Sequence, residues 1–306
     1  MKTTVNLIAA LAVPVLSLAL PQAASAWTTN VSCQGGTTGT QVAQGGAGQW
    51  TNAFAQTVYS TSVVPSGASQ SCQMGVTAGT DGWDQWGGIY SFPTHLGPGA
   101  NLWIRLALYV PVGFNYTANP MLKFMRVHTA SPSAANNGYN DLYIIPSGGT
   151  IWDHTLSKDV ATPFAYYYES QGNVRGVGST ANKIAYGQWE TYEIHYTMDT
   201  KPKNQGGLGE VKIWKNNVLL ADLTDQFLLK DSTTYAESFF LFTYWNGMAP
   251  ASQHVYVNSV TVTTDTPANK DAAGNPFIGG AVYSGSSGGG TTTTVTPDPP
   301  TGVTVQ

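Results

Sequence analysis

Hydrophobic and polar residues alternate most clearly in the segment 101–110. Aliphatic side chains occupy every second position, namely Leu102, Ile104, Leu106, Leu108 and Val110. Different side chains stand between them, namely Trp103, Arg105, Ala107 and Tyr109. Because successive side chains of a strand point to opposite faces, the pattern predicts one face in a core and a second face that carries aromatic rings and an arginine.

Comparable apolar runs, separated by turn-forming residues, predict more strands. They lie at residues 121–129, 141–146, 163–169, 189–198, 210–215, 218–223, 237–245 and 254–263. Asn216 and Asn217 stand between two of these runs and predict a tight hairpin turn, since Asn tolerates left-handed backbone angles. Many short strands joined by regular turns predict an all-β fold, a sandwich or a barrel.

The N-terminus has the pattern of a secretory signal peptide. Lys2 precedes an apolar run from Leu7 to Leu20, and Ala24 to Ala26 form a small-x-small cleavage site. We therefore expect a secreted protein, with a signal peptide at 1–26 and one β domain at 27–282. Residues 283–306 read as a Gly/Ser/Thr/Pro linker followed by the stump of a fibronectin type III module. No later segment is apolar enough to cross a membrane.

The amino-acid composition favours strands over helices, and the net charge limits the classes of binding partner. Only 10% of residues are charged, whereas the chain has 34 Gly, 16 Tyr and 9 Trp, which disfavours long surface helices. The net charge is −4 without a basic block, so we do not expect nucleic acid as a partner. We also expect no membrane partner, and we expect a monomer.

The chain contains two cysteines, Cys33 and Cys72. In an exported chain such a pair predicts a disulfide. The surrounding segment is rich in Gly, Ser, Gln and Thr and poor in core residues, so a covalent link has a clear structural use there. A catalytic thiol and a metal site with two cysteine ligands are the alternatives.

Three arginines occur in the chain, and two of them, Arg105 and Arg126, lie within predicted strands. A guanidinium in mid-strand needs an anionic partner, which is either a ligand or a structural carboxylate. Arg126 shares a strand face with His128, whereas Lys123 faces the other way unless a bulge intervenes. Both readings of the arginines, ligand binding and structural salt bridges, stay open.

A late predicted strand places Phe240, Phe242, Tyr244 and Asn246 on one face. Together with the earlier strands, the region 80–265 resembles the jelly-roll, alginate-lyase-like polysaccharide lyases of the concanavalin-type superfamily. The matching positions are Arg105 in WIRLALYVP, His128 in LKFMRVHT, and Tyr244 with Asn246 in FTYWNG. Arg126 stands where that family carries a glutamine. The resemblance implies a jelly-roll β-sandwich of two antiparallel sheets.

It also implies β-elimination on an anionic, uronate-containing polysaccharide, with no required cofactor. His128 would act as base or neutraliser and Tyr244 as acid, and also as base, while Arg105, Arg126 and Asn246 would bind the uronate. Tyr143 and Asn140 are reserve candidates for the tyrosine and amide roles. Further substrate contacts are expected from Trp103, Tyr109 and Lys123.

Two other functions remain open. Glu169 and Glu237 could meet across a sheet as the carboxylate pair of a glycoside hydrolase. Alternatively, exposed aromatic rings could serve a lectin-like binding module without catalysis. Asp81 and Asp84 could contribute to a structural calcium site, but their spacing is not diagnostic and favours a plain turn.

The remaining histidines have structural explanations. We expect His195 to be exposed on the back sheet, His254 to be structural, and His95 and His154 to lie in loops that could line a cleft.

Overall fold

The computed structural model describes residues 26–116, 121–145 and 149–283. The predicted signal peptide, apart from its last residue, and the predicted linker and stump after residue 283 lie outside these residues. Strands β1 to β17 run, in order, at Thr28–Val31, Asn52–Ala53, Thr57–Ser60, Ser71–Val76, Gly88–Leu96, Asn101–Tyr109, Leu122–Ala130, Tyr139–Ile144, Thr150–Asp153, Lys158–Ala161, Phe164–Tyr168, Asn173–Val177, Trp189–Thr197, Glu210–Lys215, Val218–Leu223, Tyr235–Leu241 and Gln253–Thr263.

Within the described residues the strands form two large sheets. The front sheet has seven strands in the order β12-β11-β8-β7-β16-β5-β2. The back sheet has eight strands in the order β15-β14-β13-β6-β17-β4-β3, with β1 beside β17. Neighbouring strands pair antiparallel, as in β7 with β8 and β6 with β13. The predicted all-β jelly-roll sandwich of two antiparallel sheets is confirmed.

The core lies between the sheets and follows the alternation seen in the sequence. The aliphatic positions of β6 are all buried in it, and Val127 of β7 and Leu241 of β16 belong to the same cluster. Removing such side chains from water is the main favourable term in the stability of the sandwich. The predicted inner face of β6 is therefore confirmed.

Two local predictions are also confirmed. Asn216 and Asn217 both have left-handed backbone angles, with φ of 49° and 64°, and join β14 to β15. Cys33 and Cys72 form a disulfide with a Cα–Cα distance of 5.1 Å. In the described parts of the chain, no helix has the length and apolar character needed to cross a membrane.

The chain after β17 folds back over the outer face of the back sheet. We call residues 264–283 the strap. Its backbone accepts hydrogen bonds from the side chains beneath it: Trp103 Nε1 donates to the Pro276 carbonyl at 3.2 Å, and Arg105 Nη2 donates to the Ala281 carbonyl at 2.9 Å. The Gly279 N–H donates to the Glu193 carboxylate at 3.0 Å. The strap therefore covers the polar outer face of β6 and β13.

His195 lies in this covered region, so the expectation of an exposed histidine is wrong. Only 7% of the residue is accessible, and its ring stacks on Trp103 with the centroids 4.2 Å apart. Burial, assisted by the nearby charge of Lys212, lowers the pKa of His195 to about 3. This histidine is a neutral packing element of the back sheet.

Glu193 should make the stability of the fold depend on pH. Burial raises the pKa of Glu193 to about 7, although strap N–H groups and Arg105 favour its ionised form. Because the folded-state pKa lies above the unfolded one, this group adds stability as the pH falls from about 7 towards 4.5, by on the order of 3 kcal/mol. We expect Glu193→Gln to flatten the difference in thermal stability between pH 8 and pH 5.5. An unchanged pH dependence would contradict this assignment.

Candidate functional site

The outer face of the front sheet carries a group of polar side chains that could take part in catalysis or in ligand binding. Arg126 and His128 of β7 point outward, opposite Asp141 and Tyr139 of β8 in the strand register. The predicted shared face of Arg126 and His128 is confirmed. We call the surface formed by these four residues, together with Lys123, Tyr143, Tyr167, Glu169, Glu237, Phe240 and Tyr244, the front face.

A bulge in β7 adds Lys123 to this face. The register between β7 and β8 shifts between Lys123 and Met125, so the simple alternation of side chains is interrupted there. As a result Lys123 Nζ lies 3.0 Å from Glu169 Oε1, and Arg126 Nη2 lies 3.2 Å from the same atom. Lys123 and Arg126 were expected to share a face only if a bulge interrupted the strand, and that bulge is present.

A second irregularity, in β16, directs Glu237 towards His128. The register shifts between Ala236 and Ser238 against both neighbouring strands. Glu237 Oε1 lies 3.0 Å from His128 Nδ1, and Glu237 Oε2 lies 4.0 Å from Nε2 of His95. With Nδ1 bonded to the carboxylate, Nε2 is the ring nitrogen of His128 that faces away from Glu237.

The cations of the front face are held in a buried ionic network. Arg126 Nε donates to Asp141 Oδ1 at 2.8 Å, and the Tyr143 hydroxyl donates to Asp141 Oδ2 at 3.1 Å. Burial raises the pKa of Asp141 to about 6, although Arg126 opposes this rise. For Glu169 the burial effect is outweighed by Lys123 and Arg126, which lower its pKa.

Tyr139 lies at the centre of the front face. Its ring covers the Arg126 guanidinium, with Cζ 3.7 Å from the ring centroid, and lies 4.7 Å from the His128 ring. Phe240 packs edge-on against it at 5.4 Å. Burial raises the pKa of Tyr139, and Arg126 only partly offsets that rise. The phenol is therefore protonated near neutral pH and can donate a proton beside the imidazole.

Tyr244 reaches the front face by a route that the sequence did not predict. Strand β16 ends at Leu241, and Phe242 adopts a left-handed backbone with φ of 60°. Phe242 consequently packs in the core, 5.1 Å from Trp86, so its predicted position on the face of Phe240 is wrong. The Tyr244 ring lies 5.2 Å from Lys123 Nζ. Asn246 is half-buried in the turn beyond, and its binding role stays a prediction.

The predicted meeting of Arg105 with His128 and Tyr244 is wrong. Strand β6 lies in the back sheet, between β13 and β17, so its outward side chains face the opposite side of the sandwich. Trp103 and Arg105 are buried under the strap, and Tyr109 packs against Trp189 at 5.7 Å. These three residues are not part of the front face. The structural alternative for Arg105 holds instead, since its Nε lies 3.8 Å from Glu193.

The two reserve candidates have structural partners. Asn140 points into the sandwich, where its Nδ2 donates to the Leu228 carbonyl at 3.0 Å and its Oδ1 accepts the Tyr166 hydroxyl at 2.6 Å. Asn140 is therefore not available to a ligand on the front face. Tyr143 lies on that face but is buried in a cluster with Ile151 of the β9–β10 hairpin. Its neighbour Tyr139, which the sequence analysis missed, is more accessible.

The structure was searched for side-chain clusters that could bind a metal ion. Among the residues that the structure describes, no group of three or more His, Cys, Asp or Glu side chains is arranged to hold a metal ion. Asp81 Oδ1 accepts the N–H of Trp83 at 3.1 Å, as in an ordinary turn. The calcium site at Asp81 and Asp84 remains a prediction.

Comparison with known proteins identifies the fold. No family model matches the chain, and no curated protein matches it. Among solved structures, a variant of the alginate lyase Aly36B bound to an alginate trisaccharide superposes with a TM-score of 0.54 at 10% identity, over 77% of this chain and 97% of that one. A second variant, bound to an alginate tetrasaccharide, gives 0.51 at 10% identity, over 77% and 96%. An endo-β-1,4-glucuronan lyase from the fungus Trichoderma reesei gives 0.49 at 13% identity, over 75% and 96%. The chain shares the sandwich fold of the alginate lyase Aly36B.

Proposed function

We propose that this protein is a secreted polysaccharide lyase that cleaves a uronate-containing polysaccharide by β-elimination on the front face. The observation that carries the proposal is the His128–Glu237 pair beside the Tyr139 phenol, on a face that also holds Lys123 and Arg126. The disulfide agrees with an oxidising, extracellular location.

The reaction requires a base, an acid and positive charge near the uronate. A base removes the proton at C5, the C4–O bond breaks as the C4=C5 double bond forms, and the leaving oxygen takes up a proton. No water, oxidant or cofactor is consumed. The proton at C5 becomes acidic enough only when the charge that develops on the adjacent carboxylate is stabilised.

His128 is suited to the role of base. A Glu237 carboxylate that accepts a hydrogen bond from Nδ1 places the proton of the neutral imidazole on that nitrogen, which leaves the lone pair on Nε2. Glu237 thus positions His128 in the way that the carboxylate of a catalytic triad positions its histidine. Lys123 and Arg126 supply the positive charge on the same face.

Tyr139 is suited to the role of acid, and Tyr244 is the second candidate. Tyr139 borders His128, so one substrate residue can contact both side chains. Tyr244 lies beside Lys123 instead. The Aly36B variants bound to alginate carry alanine in place of a lysine together with either a methionine or a tyrosine. A lysine and a tyrosine, Lys123 and Tyr244, are likewise present on the front face of this chain, which supports its choice as the reacting surface.

We expect Tyr139→Phe to lower kcat by roughly 10²-fold or more, because the leaving oxygen loses its proton donor. KM should change little, since the ring that contacts the sugar is retained. Steady-state rates from the absorbance of the unsaturated product give both constants. Tyr256→Phe, on the back sheet, is the matched control and should leave both unchanged. If Tyr244→Phe reduces kcat and Tyr139→Phe does not, Tyr244 is the acid.

The decisive experiment distinguishes elimination from its alternatives. The purified protein is incubated with alginate, glucuronan, ulvan, pectate and glycosaminoglycans, and absorbance near the ultraviolet edge reports unsaturated ends. New reducing ends without that absorbance would indicate hydrolysis, with Glu169 and Glu237 as the carboxylates of the front face. Retention on a polysaccharide gel without either product would indicate a lectin-like module.

A further inference from the structure

We infer that the substrate is a heteropolysaccharide in which single uronates are separated by neutral sugars, rather than a homopolyuronate. This inference rests on the proposed lyase function and narrows it to a class of substrate. It follows from the charges of the front face, from their accessibility and from the aromatic rings around them.

The front face carries more negative than positive charge. Its described residues include two cations, Lys123 and Arg126, and three carboxylates, Asp141, Glu169 and Glu237. The stretches 117–120 and 146–148 contain no charged residue in the sequence. At the neighbouring edge, Arg175 is likewise matched by two carboxylates, Asp153 and Asp225. A surface that binds a polyanion along its length normally has the opposite balance.

The carboxylates of the front face are also more exposed than its cations. The side chains of Lys123 and Arg126 are only 11% and 4% exposed, and both contact Glu169. Glu169 and Glu237 are 27% and 32% exposed. The charges that an incoming chain meets first are therefore negative. A homopolyuronate would bring a carboxylate on every sugar towards them, whereas an isolated uronate needs only one cation, which Lys123 can supply by leaving Glu169.

Aromatic rings that suit neutral sugars lie on the front face and at the edge of the front sheet. Tyr139, Tyr167 and Tyr244 are each partly exposed on the front face. At the β2 edge of the front sheet, Trp83 is 44% exposed and packs on Phe54, with ring centroids 5.5 Å apart. Flat aromatic rings stack on the apolar faces of sugar rings without requiring charge. Sugars that flank the reacting uronate can therefore be held by stacking.

The test compares kcat/KM on two sets of polymers by the absorbance of unsaturated ends. The homopolyuronates are polymannuronate, polyguluronate, polygalacturonate and glucuronan; the heteropolymers with neutral sugars between their uronates are hyaluronan and deacylated gellan. We expect the best heteropolymer to exceed every homopolyuronate by about tenfold or more, with a rate that changes less than about twofold as salt is raised. Faster cleavage of a homopolyuronate, with a rate that falls steeply with salt, would overturn the inference but keep the lyase function. Absence of unsaturated product from all polymers would overturn both.

A charge variant tests the physical cause directly. Glu169→Gln removes one exposed carboxylate and one partner of Lys123. We therefore expect kcat/KM for a homopolyuronate to rise relative to kcat/KM for a heteropolymer. At low salt this ratio should increase by roughly tenfold. Asp265→Asn, beyond β17 on the back sheet, makes the same change in charge and should leave the ratio unaltered. An unchanged ratio in Glu169→Gln would overturn the inference, because the front-face carboxylates would then not select against dense negative charge.

Discussion

His128→Ala is expected to lower kcat for elimination by roughly 10³-fold, because it removes the group that takes the C5 proton. The side chain is only 10% exposed and packs against Tyr139 and Phe240, so a modest loss of stability should accompany the change. Initial rates at saturating substrate give kcat, and thermal unfolding reports the fold. His254→Ala, on the back sheet, should retain full activity.

A companion variant separates positioning from chemistry. Glu237→Gln keeps the base but loses the carboxylate that holds it, so its kcat should lie between those of the wild type and His128→Ala. The double variant should be no slower than His128→Ala, because groups that act as one unit are not additive. A full additional loss in the double variant would show that Glu237 acts independently of His128. Unimpaired turnover in His128→Ala would exclude this histidine as the base.

Arg126→Ala is expected to destabilise the fold by about 3–5 kcal/mol at pH 8, because it leaves a buried carboxylate without its main partner. Asp141 is fully buried and bonded to Arg126 at 2.8 Å. The pKa of Asp141 is already raised to about 6 by burial, and removal of the cation raises it further. Protonation relieves the penalty, so the loss of stability should shrink as the pH falls from 8 to 5. Urea unfolding at the two pH values measures both losses.

A second variant tests whether the loss of stability comes from the buried carboxylate that is left without a partner. Arg126→Ala combined with Asp141→Asn should recover part of the stability at pH 8, since no buried carboxylate remains to be ionised. Equal destabilisation of Arg126→Ala at pH 8 and pH 5 would contradict this explanation. In that case, lost packing of the arginine stem against Tyr139 would be the cause.

Local patterns in the sequence predicted nine of the strands, namely β6, β7, β8, β11 and β13 to β17, but they predicted neither the other eight described strands nor the sheet that each strand joins. The alternation in β6 and the apolar run of β7 identify both strands, and both carry an arginine that points away from the core. Alternation is the same whichever sheet a strand joins, so it could not separate Arg105 from Arg126. The resemblance to lyases paired Arg105 with His128, and the strand order places them on opposite sides.

The front face also depends on backbone irregularities that alternation does not reveal. The bulges in β7 and β16 orient Lys123 and Glu237, and the left-handed backbone of Phe242 ends β16 early. None of these positions is a glycine, the residue that usually signals such geometry. Tyr139 could have been predicted from the alternation, because it shares a strand face with Asp141 and Tyr143. It was missed because the predicted strand began two residues too late.

The strap has a practical consequence for attaching this protein to other objects. Its last described residue, Tyr283, packs against Trp189 on the side of the sandwich opposite His128. A bead, a surface or a fused partner joined at Tyr283 is therefore anchored on the side of the sandwich opposite the front face. Immobilisation at Tyr283 should leave the access of a long polymer to the front face unobstructed.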